Sequence, residues 1–125
     1  MHRSHRVLFA SLALVLALFV GACGDDDDDN PVNPAPTLEL NSGNIAPAGT
    51  YEHRFFTDGT YPYRCTLHTG MNGSVVVSSA ATDTTAAVGM TAGNQFTPAT
   101  VTIKTGGKVT WTNSSGVNHN VTSTN

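Results

Sequence analysis

Charged side chains are scarce in this 125-residue chain, at 12% of its residues. An aspartate run at residues 25–29 supplies most of the nine acidic groups. From Thr37 onward, acidic and basic residues are balanced, so this part of the chain is near neutral apart from histidine. Nucleic-acid binding generally needs a basic stripe. The sequence has no such stripe, and we expect no nucleic-acid partner.

Long apolar runs are also missing, with one exception near the N-terminus. Arg3 and Arg6 precede an unbroken run of apolar and small residues at 7–20. The run is shorter than the roughly 20 residues that a transmembrane helix needs. A positive start followed by such a run is typical of a secretory signal. We therefore predict a signal peptide at residues 1–22 and an exported protein.

Cysteine is rare, with two residues in the chain. Cys23 follows Val20-Gly21-Ala22, which resembles a bacterial lipobox, where the cysteine becomes the lipid-bearing first residue of the mature protein. Ordinary cleavage nearby, leaving a free thiol, is the alternative. If Cys23 carries lipid, Cys65 is a lone exported thiol, and metal ligation is one explanation for it. We expect a lipid anchor in a bacterial membrane, with the protein facing the periplasm or the extracellular side.

Residues 23–36 are predicted to be the lipidated cysteine and an acidic, proline-rich linker. The aspartates repel one another, and the prolines keep the chain extended. A calcium site is the competing interpretation, but consecutive carboxylates without a glycine-spaced loop are more typical of a spacer. Residues 37–125 then form one domain, large enough for a modest core.

Helical periodicity is absent after the linker, and short strand-like segments alternate with turn residues. Val101 and Ile103 share one face of their segment, as do Val109 and Trp111. The predicted strands are 37–41, 50–57, 60–66, 73–78, 86–92, 100–104, 108–113 and 119–124. Eight short strands without a helix predict an all-β sandwich or barrel.

The segment from Cys65 to Met71 carries the chemistry of the chain. It places a thiolate, the His68 imidazole and a thioether within seven residues. These are the ligand types of a copper site with two histidines, one cysteine and a weak axial methionine. After signal removal, His53 and His119 remain as candidates for the second histidine. His119 is favoured because it follows a glycine-containing turn and opens a predicted strand, whereas His53 lies in the middle of one.

These motifs resemble the cupredoxin family, in its plastocyanin and amicyanin branch. The resemblance covers nearly everything after the linker. It rests on four stretches: Tyr63 to Val75, Phe96 to Asn113, His119-Asn120-Val121, and Asn41 to Phe55. The tight Cys-x-x-His-x-x-Met spacing is closer to amicyanin than to plastocyanin.

The resemblance implies a Greek-key β-sandwich of about eight strands that holds one copper ion, Cu(II) or Cu(I). Its ligands would be His119, Cys65, His68 and Met71. In the family, the residue after the lone histidine, here Asn120, donates its amide to the thiolate and ties its side chain to the residue after the cysteine, here Thr66. The implied function is electron transfer as a type 1 copper protein. We expect no enzyme, because the sequence shows no catalytic triad, nucleotide loop or second metal centre.

The order of the motifs departs from the family. There the lone histidine comes first and the Cys-His-Met loop comes last, whereas here the loop precedes His119. A circular permutation would give this order, with the original termini joined through residues 78–85. A truncated fragment of a tandem array is the alternative, but no strand is duplicated. We expect a monomer with permuted strand order.

Two other functions remain open. The same ligands would suit a copper-binding or copper-delivery lipoprotein, and the β-domain could instead be a metal-free interaction module. An electron carrier would exchange electrons with redox partner proteins that the sequence does not identify. Its partly exposed ligand is expected to be His68.

Overall fold

The computed structural model of this protein describes residues 38–124. The predicted signal peptide, the lipidation site Cys23 and the linker lie outside the described residues. Among residues 38–124 there is no helix with the length and apolarity needed to cross a bilayer.

The described residues form an all-β structure, as predicted. Its strands, in chain order, are β1 (Thr50–Arg54), β2 (Gly59–Arg64), β3 (Asn72–Val77), β4 (Thr85–Met90), β5 (Phe96–Thr97), β6 (Thr100–Ile103), β7 (Lys108–Asn113) and β8 (Thr122–Ser123). They make two four-stranded sheets, ordered β1-β7-β4-β5 and β6-β3-β2-β8. Both sheets are mixed, because β4 pairs with β7 and β3 pairs with β6 in parallel. The arrangement is consistent with a β-sandwich, and the Greek-key connection stays a prediction.

Alternating side chains supply the core. Val101 and Ile103 on β6, and Val109 and Trp111 on β7, are buried while their neighbours face outward. A strand with one buried face has this period of two. Trp111 is fully buried and meets Tyr63 of the other sheet edge to face, with ring centroids 5.4 Å apart. The contact between these rings therefore joins the two sheets through the centre of the domain.

Two predicted strands differ from those in the structure. Residues 37–41 were expected to form the first strand, but within 38–41 only Asn41 pairs, in an isolated bridge to Thr122. The last strand was expected to begin at His119, which instead makes an isolated bridge to Ile45, while β8 covers only Thr122–Ser123. The very short β5 was not predicted, because two residues are too few for alternation to show.

The first and last described segments pair with each other. Ser123 Oγ accepts a hydrogen bond from the Leu40 amide at 2.9 Å, and the Ser123 amide donates to the Leu40 carbonyl at 3.0 Å. The Ser42 amide donates to the Val121 carbonyl at 3.1 Å. On its other side, β8 pairs with β2. Residues 119–123 are thus held between residues 40–45 and the strand that leads into Cys65.

Candidate metal centre

Cys65 stands at the start of the loop that joins β2 to β3. Its amide donates to the Met71 carbonyl at 3.0 Å, and the Met71 amide donates to the His68 carbonyl at 3.3 Å. Gly70 has a φ of +83°, a conformation that side chains with a Cβ rarely adopt. The loop therefore turns back tightly on itself, which brings His68 beside the cysteine that begins it.

His119 reaches the same place from the far end of the described chain. Its amide donates to the Ile45 carbonyl at 3.1 Å, and its carbonyl accepts from the Ile45 amide at 2.7 Å. The residue is fully buried. The backbone of His119 is thus fixed by a segment that precedes it by most of the domain.

Cys65, His68 and His119 converge on one point. Cys65 Sγ lies 3.5 Å from His68 Nδ1 and 3.9 Å from His119 Nδ1. One donor atom from each of the three residues lies within 4.8 Å of the other two. In a tetrahedral site with metal–sulfur and metal–nitrogen bonds of roughly 2.3 and 2.0 Å, neighbouring donors lie about 3.5 Å apart. The spacing of the three donors therefore fits a single small transition-metal ion.

The burial of the three residues is unequal. Cys65 and His119 are buried, whereas His68 is partly exposed. Burial, with a smaller contribution from the nearby His68, lowers the pKa of His119. A neutral imidazole is the form that binds a metal. The surroundings of His119 therefore favour its ligating form near neutral pH.

Asn120 and Thr66 connect the two halves of the cluster. The Asn120 amide points at Cys65 Sγ, 3.4 Å away. The Asn120 side chain accepts from the Thr66 amide at 2.8 Å and donates to the Thr66 hydroxyl at 2.7 Å. These three contacts lock the residue after His119 onto the residue after Cys65. Bonds of this kind orient metal ligands and tune their basicity.

Met71 and His53 occupy different environments. Met71 is 1% exposed, and its backbone is hydrogen-bonded to the backbones of Cys65 and His68. It therefore belongs to the same loop as these two donors. His53 of β1 has its Nε2 at 2.8 Å from the Glu39 carboxylate, and both side chains are partly exposed. His53 is not a member of the cluster.

Ser115 was missed by the sequence analysis, which interpreted residues 114–116 only as a turn. Its Oγ lies 2.8 Å from His119 Nε2 and also 2.8 Å from Asn113 Oδ1. The Asn113 amide nitrogen is directed to the carbonyls of Ile45 and Val117, so its oxygen faces Ser115. A serine in a turn, two residues after the last residue of β7, carries no distinctive signal in one sequence.

Comparison with known proteins does not place the chain in a family. No protein-family model, no curated protein and no solved structure matches it.

Proposed function

We propose that this protein is a type 1 copper protein, related to the cupredoxins, that carries electrons. The observation that supports this most is the convergence of one thiol and two imidazole nitrogens within 4.8 Å in an all-β scaffold. Sulfur and imidazole ligands together suit copper or zinc, whereas carboxylates and carbonyls suit magnesium or calcium. No carboxylate belongs to the cluster among residues 38–124.

Cys65, His68 and His119 would hold the ion, with Met71 as a weak axial ligand. Copper bound there would supply a one-electron couple between Cu(II) and Cu(I). The chain contributes a fixed set of ligands. Cys65 and His119 are buried and tied to each other through Asn120, so the site would change little when the charge on the metal changes. Little reorganisation favours fast electron transfer.

His68 is the proposed route for electrons to and from partner proteins. It is the one partly exposed residue of the cluster, since both Cys65 and His119 are buried. An electron carrier needs one ligand near the surface, because transfer slows steeply with distance.

The pairing of residues 40–45 with residues 119–123 supports the proposed circular permutation. In the cupredoxin order, the segment that contains the lone histidine would run on into the segment that begins here at Leu38. The antiparallel contact between Leu40 and Ser123 leaves only a short gap for such a connection. The original termini would have been joined through residues 78–85, which contain the largely exposed link between β3 and β4.

We further propose that the mature protein is exported and anchored through lipid on Cys23. The proposal rests on Val20-Gly21-Ala22-Cys23 after an apolar run. Mass spectrometry of the native N-terminus tests it. A mature chain that begins elsewhere and washes off membranes would contradict the anchor.

The absorption spectrum of the copper-loaded protein tests the proposed function. One copper per monomer should bind, with an intense visible band that arises from charge transfer between the Cys65 thiolate and Cu(II). Cys65→Ser should abolish the band, and Cys65 is the natural target because it is the one free cysteine among residues 38–124. Bound Cu(II) without colour would overturn the proposal.

Copper delivery is separated from electron transfer by a chelator experiment. A carrier should keep its copper through cycles of oxidation and reduction in the presence of a Cu(I) chelator. Release of copper to the chelator on reduction would favour delivery. A protein that neither binds copper nor is stabilised by it would be an interaction module instead.

A further inference from the structure

A surface cavity lies directly beside the proposed metal centre. Its volume is about 260 Å³, and its lining includes Cys65 and His68 together with Arg64, Thr66 and Thr69. Pockets for drug-sized ligands are typically about 300–1,000 Å³. This cavity therefore suits a small ligand of a few heavy atoms rather than an organic cofactor.

The charge of the cavity is positive. Arg64 lines it, and no acidic residue among residues 38–124 does. The ion pairs within residues 38–124 are His53 with Glu39 and Lys108 with Glu52, so the Arg64 guanidinium has no carboxylate partner there. A guanidinium group presents five N–H donors in a planar fork, which matches the oxygens of a carboxylate or phosphate.

The loop adds backbone donors. Three consecutive residues that line the cavity, His68, Thr69 and Gly70, have amides that make no hydrogen bond within the described part of the chain. The amides of Thr66 and Met71 are engaged, since the first donates to Asn120 and the second donates to His68. Successive free amides in a turn that ends in a left-handed glycine are a common setting for anion binding.

We infer that this cavity binds a small oxyanion, a carboxylate or a phosphate, against Arg64 and the loop amides. The inference does not depend on copper. Its consequence for the metal centre does rest on the proposed function. A bound oxyanion would place negative charge beside Cys65 and His68, which favours the more positive oxidation state of a metal held there.

Inorganic phosphate is the probe for the first experiment. The metal-free, full-length protein, labelled with ¹⁵N, is titrated with phosphate at constant pH and constant ionic strength. The amide signals of residues 68–70 should shift and saturate. Arg64→Gln should weaken binding by about tenfold or more, since a charged bidentate contact is lost. Arg64→Lys should retain part of the affinity.

Lys104→Gln is the matched control, because it removes the same charge from an exposed side chain outside the cavity. It should bind phosphate as the natural protein does. Equal shifts with chloride, no saturation, or equal affinity in the Arg64→Gln and Lys104→Gln variants would each overturn the inference. Acetate in place of phosphate distinguishes the two oxyanions.

The second measurement is the reduction potential of the copper-loaded protein. Phosphate should lower the reduction potential of the natural protein and of Lys104→Gln, but not that of Arg64→Gln. If the metal-free protein binds phosphate while the protein takes up no copper, the anion site stands and the proposed function fails. If copper binds and the metal-free titration is featureless, the anion site fails alone.

Discussion

The hydroxyl of Ser115 lies 2.8 Å from Nε2 of His119, the ring nitrogen that does not face Cys65. Ser115 Oγ is also 2.8 Å from Asn113 Oδ1, which can only accept a hydrogen bond. The Val117 carbonyl, 3.0 Å from the same hydroxyl, can also only accept. The serine proton therefore goes to one of these two oxygens, and Ser115 accepts a hydrogen bond from Nε2–H of His119. That assignment leaves Nδ1 of His119 without a proton, with its lone pair directed toward the Cys65 sulfur.

Ser115→Ala should weaken copper binding by about 10- to 100-fold, the usual cost of removing a partner that orients a metal-bound histidine. Competition with a chelator of known affinity measures the change. Ser114→Ala is the matched control, because its exposed side chain makes no hydrogen bond within residues 38–124. Equal affinity in the two variants would show that Ser115 does not set the tautomer of His119.

Copper should stabilise the protein against heat. At free copper of about 100 times Kd, binding to the folded state alone adds about 2.7 kcal/mol. His119→Ala should lose this stabilisation. His53→Ala should keep it, because His53 lies outside the cluster and its exposed pair with Glu39 contributes little. Calorimetric melting with and without copper gives the comparison, and the opposite pattern in the two variants would refute the choice of His119.

Met71→Leu should leave copper bound and change its reduction potential and visible spectrum. An axial thioether is a weak ligand that tunes a copper site, and leucine nearly conserves the volume of this buried side chain. Met90→Leu is the control, since Met90 is a fully buried core residue outside the Cys65 loop. Loss of copper from Met71→Leu alone would show that Met71 holds the metal rather than tunes it.

Tyr63→Phe should stabilise the protein by about 1 kcal/mol. The Tyr63 hydroxyl is buried and has no hydrogen-bond partner within residues 38–124, and an unsatisfied buried polar group costs about 1–3 kcal/mol. Tyr61→Phe is the control, because its hydroxyl donates to the Thr57 carbonyl at 2.7 Å. Urea unfolding at neutral pH measures both variants, and a destabilised Tyr63→Phe would refute the prediction.

Alkaline pH should destabilise the protein through the same buried Tyr63 hydroxyl. Burial raises the pKa of Tyr63 from 10.0 to about 12. The unfolded chain therefore releases this proton first, and the free energy of unfolding falls as pH rises from about 10 to about 12. The loss amounts to about 2–3 kcal/mol. Tyr63→Phe should lack this part of the decline, which unfolding experiments across that pH range would detect.

Sequence patterns predicted the all-β class and most of the strands. The alternation of apolar and polar residues identified the buried faces of β6 and β7, because a period of two is visible in a single sequence. It failed at the chain segments around Asn41 and His119, where pairing is limited to isolated bridges. Their extended form comes from partners far away in the sequence, which local composition does not reveal.

The candidate site, too, could be predicted only in part from the sequence. Cys65 and His68 lie three residues apart, so their spacing could be evaluated from the sequence. The choice of His119 depended on the order of turns and on a family resemblance, and the structure places it beside Cys65. The contact of Ser115 with His119, and the lack of a carboxylate partner for Arg64 within residues 38–124, could not be anticipated, since both depend on packing that one sequence does not reveal.

The pairing of residues 40–45 with residues 119–123 determines when Cys65, His68 and His119 can come together. During synthesis, Cys65 and His68 emerge well before His119, which follows Cys65 by 54 residues. Until residues 119–123 dock, Leu40 and Ile45 lack their partners, and the Cys65 thiol has only the His68 imidazole beside it. The cluster of Cys65, His68 and His119 is therefore complete only once residues 119–123 have paired with residues 40–45.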